Sequence, residues 1–131
     1  MWTMRMIKRV EDLEVFRRAY RLSLELHKIS LEFPRIEQFA LADQLRRASK
    51  SICANLTEGF AKQSHSAAEY RRYVVTAIGS SDETQLWLRY LCRSGICRRG
   101  AREQVGVGLC RDQQDAAGSL CALGRDLILQ S

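Results

Sequence analysis

Residues 12–33 read DLEVFRRAYRLSLELHKISLEF, and this stretch decides the fold class. Its apolar residues recur in alternating steps of four and three, which is the spacing of an α-helix with one face in a protein core. Asp12 is a suitable N-cap, and Pro34 disfavours continuation of the helix through the residue before it. The stretch therefore predicts a helix over 12–33. Its core-facing side chains are Val15, Ala19, Leu22, Leu26, Ile29 and Phe33.

The same helix carries a second apolar strip, which lies well round from the first because each residue turns the helix by about 100°. A helix in an isolated bundle needs only one apolar face, so the second strip requires another partner, and a second copy of the chain is the simplest one. We therefore predict a homo-oligomer. The alternative is that this helix is simply the most buried helix of its own bundle. The residues predicted to form the oligomer interface are Leu13, Phe16, Tyr20 and Leu24.

Two further helices have their own boundary signals. One is predicted over 39–58, with Gly59 as its C-terminal stop. The next is predicted over 66–94, because Ser66 and Glu69 have the spacing of a capping box that opens a helix.

A fourth helix completes the predicted architecture. Gly95 ends the third helix, and helical spacing resumes over 101–129, where four glycines each cost about 1 kcal/mol relative to alanine. The chain has a single proline, as expected of an all-α protein. Short connections predict an up-down-up-down antiparallel four-helix bundle. We expect one domain over 1–131, with 1–10 as a flexible N-terminal extension.

The charge of the chain favours an anionic partner. Its formal net charge is +6, and seventeen of its 21 basic residues are arginines. The arginine head group is a rigid fork that suits phosphates, so RNA or DNA is the predicted partner. The alternative is an ordinary solvated surface. The basic residues predicted to bind nucleic acid are Arg17, Arg18, Arg21, Arg46, Arg47, Lys50, Arg71 and Arg72.

Other functional classes find little support in the residues. The five cysteines form no C-x-x-C pair, and an odd number suits reduced thiols in the cytoplasm better than a disulfide framework. Neither histidine lies near a cysteine pair, so no metal or other cofactor is expected. No apolar run approaches the length of a membrane span. With no recognisable catalytic arrangement, we expect a cytoplasmic protein that is not an enzyme.

A set of polar residues lies close to the apolar stripe of the second helix. Polar groups at such positions must find hydrogen-bond partners if they are buried. A structural network that fixes the register of the helices is the favoured interpretation, with Glu83 of the third helix as a possible member. A ligand-binding or catalytic group is the alternative. The proposed members are Gln44, Ser51, Asn55, Glu58 and Glu83.

These residues also carry a family resemblance. The sequence resembles the four-helix bundle proteins known as 23S rRNA intervening-sequence proteins over roughly 7–97. It departs from the family at Cys53, where proline is common, and in the glycine-rich fourth helix. The positions that carry the resemblance are 11–16, 33–34, 41–48, 51–52, 55, 58–59, 77, 79–80, 83 and 95–96.

The resemblance implies an up-down bundle that assembles into a ring-like homopentamer with basic surfaces and no enzymatic activity. Members of the family are encoded within intervening sequences of bacterial ribosomal RNA genes. Related bundles act as accessory proteins of diversity-generating retroelements, where they engage a reverse transcriptase and nucleic acid. Two hypotheses follow. The chain is an oligomeric nucleic-acid-binding accessory protein, or it is an oligomeric scaffold for another protein, with no nucleic-acid function.

Overall fold

The computed structural model describes residues 6–96, all of whose regular elements are helical. Three α-helices follow one another: α1 over Glu14–Ser30, α2 over Leu41–Lys62 and α3 over Ala67–Arg93. Short 3-10 turns, Val10–Asp12 and Arg35–Glu37, precede α1 and α2. The all-α class is thus confirmed for this part of the chain, and the helix predicted over 101–129 lies outside the described residues.

The three helices are arranged with α2 in the middle. It packs along both α1 and α3, whereas no Cα atom of α1 lies within 8 Å of one in α3. The chain reverses at each connection, since Arg46 near the start of α2 bonds to Ser30 at the end of α1. Likewise Gly59 near the end of α2 lies against Tyr73 near the start of α3, and Ser51 further back in α2 bonds to Ser80 further along α3. Neighbouring helices are therefore antiparallel, as the short connections predict.

The core lies between the inward faces of the helices. Leu26 of α1, Leu45 of α2 and Leu88 of α3 are each fully buried in it. The predicted core stripe of α1 is confirmed, with Ile29 half-buried and the rest buried. Val10, the last residue of the predicted N-terminal extension, also belongs to this core.

The start of α1 differs from the prediction. Leu13 occupies the N-cap position and makes no side-chain capping bond there. The Asp12 carboxylate instead accepts hydrogen bonds at 3.0 Å from the backbone N–H groups of Lys8 and Arg9. Asp12 therefore caps the 3-10 turn Val10–Asp12, of which it is the last residue. Its assignment as the N-cap of α1 was wrong, because the carboxylate points back towards the earlier N–H groups.

The end of α2 also differs, because the helix continues past Gly59 to Lys62. A Cβ atom placed on Gly59 would lie 2.8 Å from the Cβ of Tyr73 in α3, which is closer than real Cβ contacts. The prediction that Gly59 ends the helix was wrong. The glycine instead lets α2 and α3 approach closely.

The boundaries of α3 agree with the sequence. The Ser66 hydroxyl accepts a hydrogen bond from the backbone N–H of Glu69 at 3.2 Å, which caps the first turn. At the other end Gly95 has a φ of 74°, a left-handed conformation that glycine adopts without strain. Both signals are confirmed, and the observed ends of α3 agree with the predicted ones.

Candidate interaction surfaces

A strip of apolar side chains on α1 faces outward. We call Leu13, Phe16, Tyr20 and Leu24 the α1 strip. Tyr20 is 52% exposed and Leu24 45% exposed, while Leu13 and Phe16 are half-buried against the core. The rings of Phe16 and Tyr20 stack with their centroids 6.0 Å apart and their planes 13° apart. The strip therefore presents a preorganised aromatic surface to water.

Positive charge lies on both sides of the α1 strip. On one side Arg17 and Arg21, with Glu11 beside them, line an open depression together with Phe16, Tyr20 and Leu24. On the other side the Lys50 ammonium lies 3.2 Å from Nδ1 of the half-buried His27, linking α2 to α1. An apolar strip between cationic edges suits a partner that offers both apolar surface and negative charge.

Arg17 is held in place by the backbone beside it. Its guanidinium donates at 3.1 Å to the carbonyl oxygens of Glu11 and Asp12. The side chain thereby joins the first 3-10 turn to α1 and fixes the N-terminal end of the α1 strip. Arg21, one turn further along, is exposed.

Arg46 contributes to the fold of the α1–α2 connection. Its guanidinium donates to the Ser30 hydroxyl at 3.0 Å, to the Gln38 side-chain oxygen at 3.1 Å and to the Gln38 carbonyl at 2.8 Å. The Gln38 amide in turn donates to the carbonyls of Ser30 at 2.8 Å and Phe33 at 2.9 Å. The half-buried side chains of Arg46 and Gln38 thus link the α1–α2 connection to both helices. Most of the hydrogen-bond donors of Arg46 are therefore used within the chain.

The remaining predicted basic residues are spread over the three helices. Arg18 forms an ion pair with Glu14 one turn away in α1. Arg47 lies 3.7 Å from the Asp43 carboxylate on the outer face of α2. Arg72 lies over the Tyr73 ring at 6.0 Å, and its neighbour Arg71 is exposed. The predicted set therefore does not form one compact cluster within a single copy of the described chain.

A polar network between α2 and α3 includes two of the five predicted members. The Asn55 amide donates to the Ser51 carbonyl at 2.8 Å and to its hydroxyl at 3.1 Å. Ser80 of α3 donates to the Ser51 hydroxyl at 3.0 Å, and the Ser80 carbonyl accepts from Thr84 at 2.8 Å. The Ser80–Ser51 bond joins the two helices and fixes their register there, while the other bonds lie within α2 or α3. Sequence reasoning missed Ser80 as a member, although its position one turn before Thr84 on the buried face was the available signal.

The other three predicted members lie on the surface. Gln44 and Glu58 are exposed on α2. Glu83 is exposed on α3, where it accepts a hydrogen bond at 3.1 Å from the indole N–H of Trp87 in the same helix. The network is therefore smaller than the spacing of polar residues suggests.

The model of the 23S rRNA-intervening sequence protein family matches residues 11–105. The chain belongs to this family. The match includes α1, α2 and α3 in full, and with them the α1 strip and the Ser51–Asn55–Ser80 network. A search of curated proteins finds no match.

Within the family fold, Cys53 occupies an unbroken part of α2. Burial raises the pKa of its thiol to about 11, and a hydrogen bond with the Ser23 side chain acts in the opposite direction. The thiol packs against the core as a small apolar group.

Residues 6–96 contain neither a metal-ion cluster nor a membrane-spanning helix. Within this range no three His, Cys, Asp or Glu side chains come together in a group that could hold a metal ion. Nor does a helix in the described part of the chain have the length and apolar character needed to cross a membrane.

Proposed function

We propose that this protein of the 23S rRNA-intervening sequence family is a non-enzymatic accessory protein that self-associates and binds nucleic acid through phosphate contacts. The exposed α1 strip with its cationic edges is the observation that carries the proposal. Burial of this apolar surface would favour the binding of one copy to another. Assembly would then concentrate the basic residues of a chain whose net charge is +6.

The proposal includes a fourth helix over 101–129 that completes an up-down-up-down bundle. The arrangement of α1, α2 and α3 supports it. In a four-helix bundle, helices at diagonal corners do not touch, and α1 and α3 are separated in this way on the two sides of α2. Both nevertheless have strongly buried faces, including Leu22 on α1 and Leu91 on α3. A helix at the remaining corner would pack against both faces.

Self-association is supported by the composition and exposure of the α1 strip. Stacked aromatic rings provide a large, rigid contact area at a low entropic cost. On the opposite side of α1, the buried stripe already supplies the chain's own core. The α1 strip is therefore not needed to form the core of one chain. The family resemblance suggests a homopentamer, and we propose a closed ring of identical copies.

Nucleic-acid binding rests on exposed cations outside the α1 strip. Arg47, Lys50 and Arg71 are exposed on α2 and α3. In an oligomer each would recur once per copy, giving several phosphate contacts to one strand. Such contacts depend weakly on base sequence and strongly on salt. RNA is the favoured ligand because of the family, and a reverse transcriptase remains a candidate protein partner.

A salt titration tests the nucleic-acid proposal. We expect a labelled RNA hairpin with single-stranded flanks to bind at low salt in a mobility-shift assay. Because each phosphate contact lowers log K by about 0.7–0.9 per unit of log salt, affinity should fall steeply between about 50 and 200 mM. Absence of a shift even at the lowest salt would exclude nucleic-acid binding.

Matched variants distinguish the effect of specific basic residues on RNA affinity from the effect of net charge. The test variant carries Arg47→Gln and Arg71→Gln, and the control carries Arg35→Gln and Lys62→Gln, all at exposed positions. Each variant loses two positive charges per copy. We expect a weaker affinity and a shallower salt slope for the test variant only. Equal losses of RNA affinity in both variants would mean that overall charge, and not these positions, accounts for binding.

The scaffold hypothesis also has a supporting observation. Phe39, in the α1–α2 connection, is 93% exposed, and nearby Ile36 is exposed as well. The Arg46–Gln38 group holds this connection rigidly. Exposed apolar residues on a rigid connection are typical of a protein-binding surface. An oligomer that binds no RNA at low salt would favour this second function.

A further inference from the structure

Two arginines in the last turns of α3 have guanidinium groups that the described chain does not use. Arg89 and Arg93 lie one helical turn apart, and both are exposed. Neither forms an ion pair with a carboxylate of residues 6–96. In contrast, Arg18 and Arg47 each have a carboxylate one turn away. The two arginines of α3 are therefore available to an anion from another molecule.

These two arginines line an open depression on the surface of α3. Its other lining residues are Gln85 and Cys92, so half of the lining side chains are cationic and none is a carboxylate. Two carboxylates precede it on α3, those of Asp82 and Glu83. They lie about 9–10 Å from Arg89 along the helix axis, so their charges are largely screened from it at physiological salt. A phosphate suits this depression, because guanidinium groups bind phosphate oxygens with paired hydrogen bonds.

An exposed aromatic ring lies beside the arginines. Tyr90 is 57% exposed, and its ring centroid lies 5.7 Å from that of the half-buried Trp87. The Trp87 indole N–H in turn donates to the Glu83 carboxylate at 3.1 Å. The contact with Trp87 supports the Tyr90 ring from one side and leaves more than half of Tyr90 open to solvent.

Leu86 joins these residues into one patch. Leu86, Arg89, Tyr90 and Arg93 follow the i, i+3, i+4, i+7 spacing of neighbours on a helix surface, and we call them the α3 end patch. All four are exposed. The patch combines cations that would hold a phosphate with apolar and aromatic surface that would cover a base. In a double helix the faces of the bases are stacked on one another, so only an unpaired nucleotide offers both groups.

We infer that the α3 end patch binds unpaired nucleotides of an RNA strand. A base stacks on the Tyr90 ring, and Arg89 and Arg93 hold the adjoining phosphate. The inference rests on the proposed nucleic-acid binding and adds where the strand lies and which form of RNA is bound. Acidic side chains of another protein would occupy the arginines but leave the face of Tyr90 unused. Since every base has a π face, the patch selects for unpaired nucleotides and not for a base sequence.

Substitution of Tyr90 tests the stacking contact. Tyr90→Leu removes the ring and keeps an apolar side chain, and Phe39→Leu is the matched control because it removes an exposed ring from the α1–α2 connection. Fluorescence anisotropy gives the affinity of each protein for a labelled RNA strand of about eight nucleotides, alone and paired with its complement. Tyr90→Leu should weaken binding of the single strand by about five- to 150-fold and leave duplex binding unchanged. Phe39→Leu should match the wild type with both RNAs.

The salt dependence of single-strand binding tests the phosphate contacts. Each contact contributes about 0.7 to the slope of log K against log salt, so Arg89→Gln with Arg93→Gln should lower the slope by up to about 1.4 per chain. Tyr90→Leu should keep the wild-type slope. Arg35→Gln with Lys62→Gln removes the same charge at exposed positions elsewhere and should keep it too. Unchanged helical circular dichroism in every variant would separate a loss of binding from a loss of folding.

The outcomes distinguish the inference from the proposed function. If Tyr90→Leu binds the single strand as tightly as a wild type with a clear salt slope, nucleic-acid binding stands and the α3 end patch is excluded. Equal wild-type affinity for paired and unpaired RNA has the same meaning. If polyglutamate of equal charge displaces the strand as well as unlabelled RNA does, the patch recognises charge alone and the inference fails. A wild type that binds neither RNA at the lowest salt overturns the proposed nucleic-acid binding as well.

Discussion

Replacing Gly59 by alanine should destabilise the protein, although alanine is the better helix former. Glycine inside a helix costs about 1 kcal/mol relative to alanine, so propensity alone predicts a gain of this size. The new Cβ would lie 2.8 Å from the Cβ of Tyr73, which is rooted in the α3 backbone and cannot swing away. Overpacking of this kind costs about 1–3 kcal/mol. We expect a net destabilisation of up to about 2 kcal/mol.

Gly79→Ala is the matched control, because its Cβ meets none of the residues 6–96 within 4 Å. It should stabilise the chain by about 0.5–1 kcal/mol. The propensity gains cancel in the comparison, so the difference in the free energy of unfolding measures the cost of the close α2–α3 approach. Both substitutions are made in a Tyr20→Glu background, where self-association does not contribute, and are compared by urea unfolding. If Gly59→Ala proves as stabilising as Gly79→Ala, the reasoning from close packing is refuted.

Two further predictions concern groups inside the fold. Since burial raises the pKa of the Cys53 thiol from 9.0 to about 11, the protonated thiol stabilises the folded state below pH 9.0, and this contribution is lost as the pH rises towards 11. Alkylation of Cys53 at pH 9, followed by peptide mass spectrometry, should be about fiftyfold slower in the native protein than in urea, and equal rates would mean that the thiol is not buried. Arg46→Met keeps the length of the side chain but removes its bonds to Ser30 and Gln38, so urea unfolding should show a loss of about 2–3 kcal/mol. An Arg46→Met variant with unchanged stability would show that this group does not hold the α1–α2 connection.

Periodicity and capping chemistry were enough to predict much of the fold. The apolar spacing of α1 identified its buried stripe, and Ser66 and Gly95 marked the two ends of α3. These signals depend on residues within a few turns of the same helix, so they can be recognised in the sequence without knowing which other helices pack against it. The exposure of Tyr20 and Leu24 in the α1 strip was likewise anticipated from the width of the apolar surface.

The sequence was least informative where distant parts of the chain decide the role of a residue. Gly59 has the sequence signal of a helix stop, but its actual constraint is Tyr73 on another helix. Arg46 looks like any other surface arginine in the sequence, yet its partners lie eight and sixteen positions away. Ser80 escaped notice as a network member because its partner, Ser51, belongs to α2.

The mass of the wild-type protein in solution, measured by light scattering beside that of Tyr20→Glu, tests the central claim most directly. We expect the wild type to have a mass several times that of one 15.0 kDa chain and the variant to have the mass of a single chain. A wild-type mass of one chain across the micromolar range would contradict the claim that the outer face of α1 binds another copy.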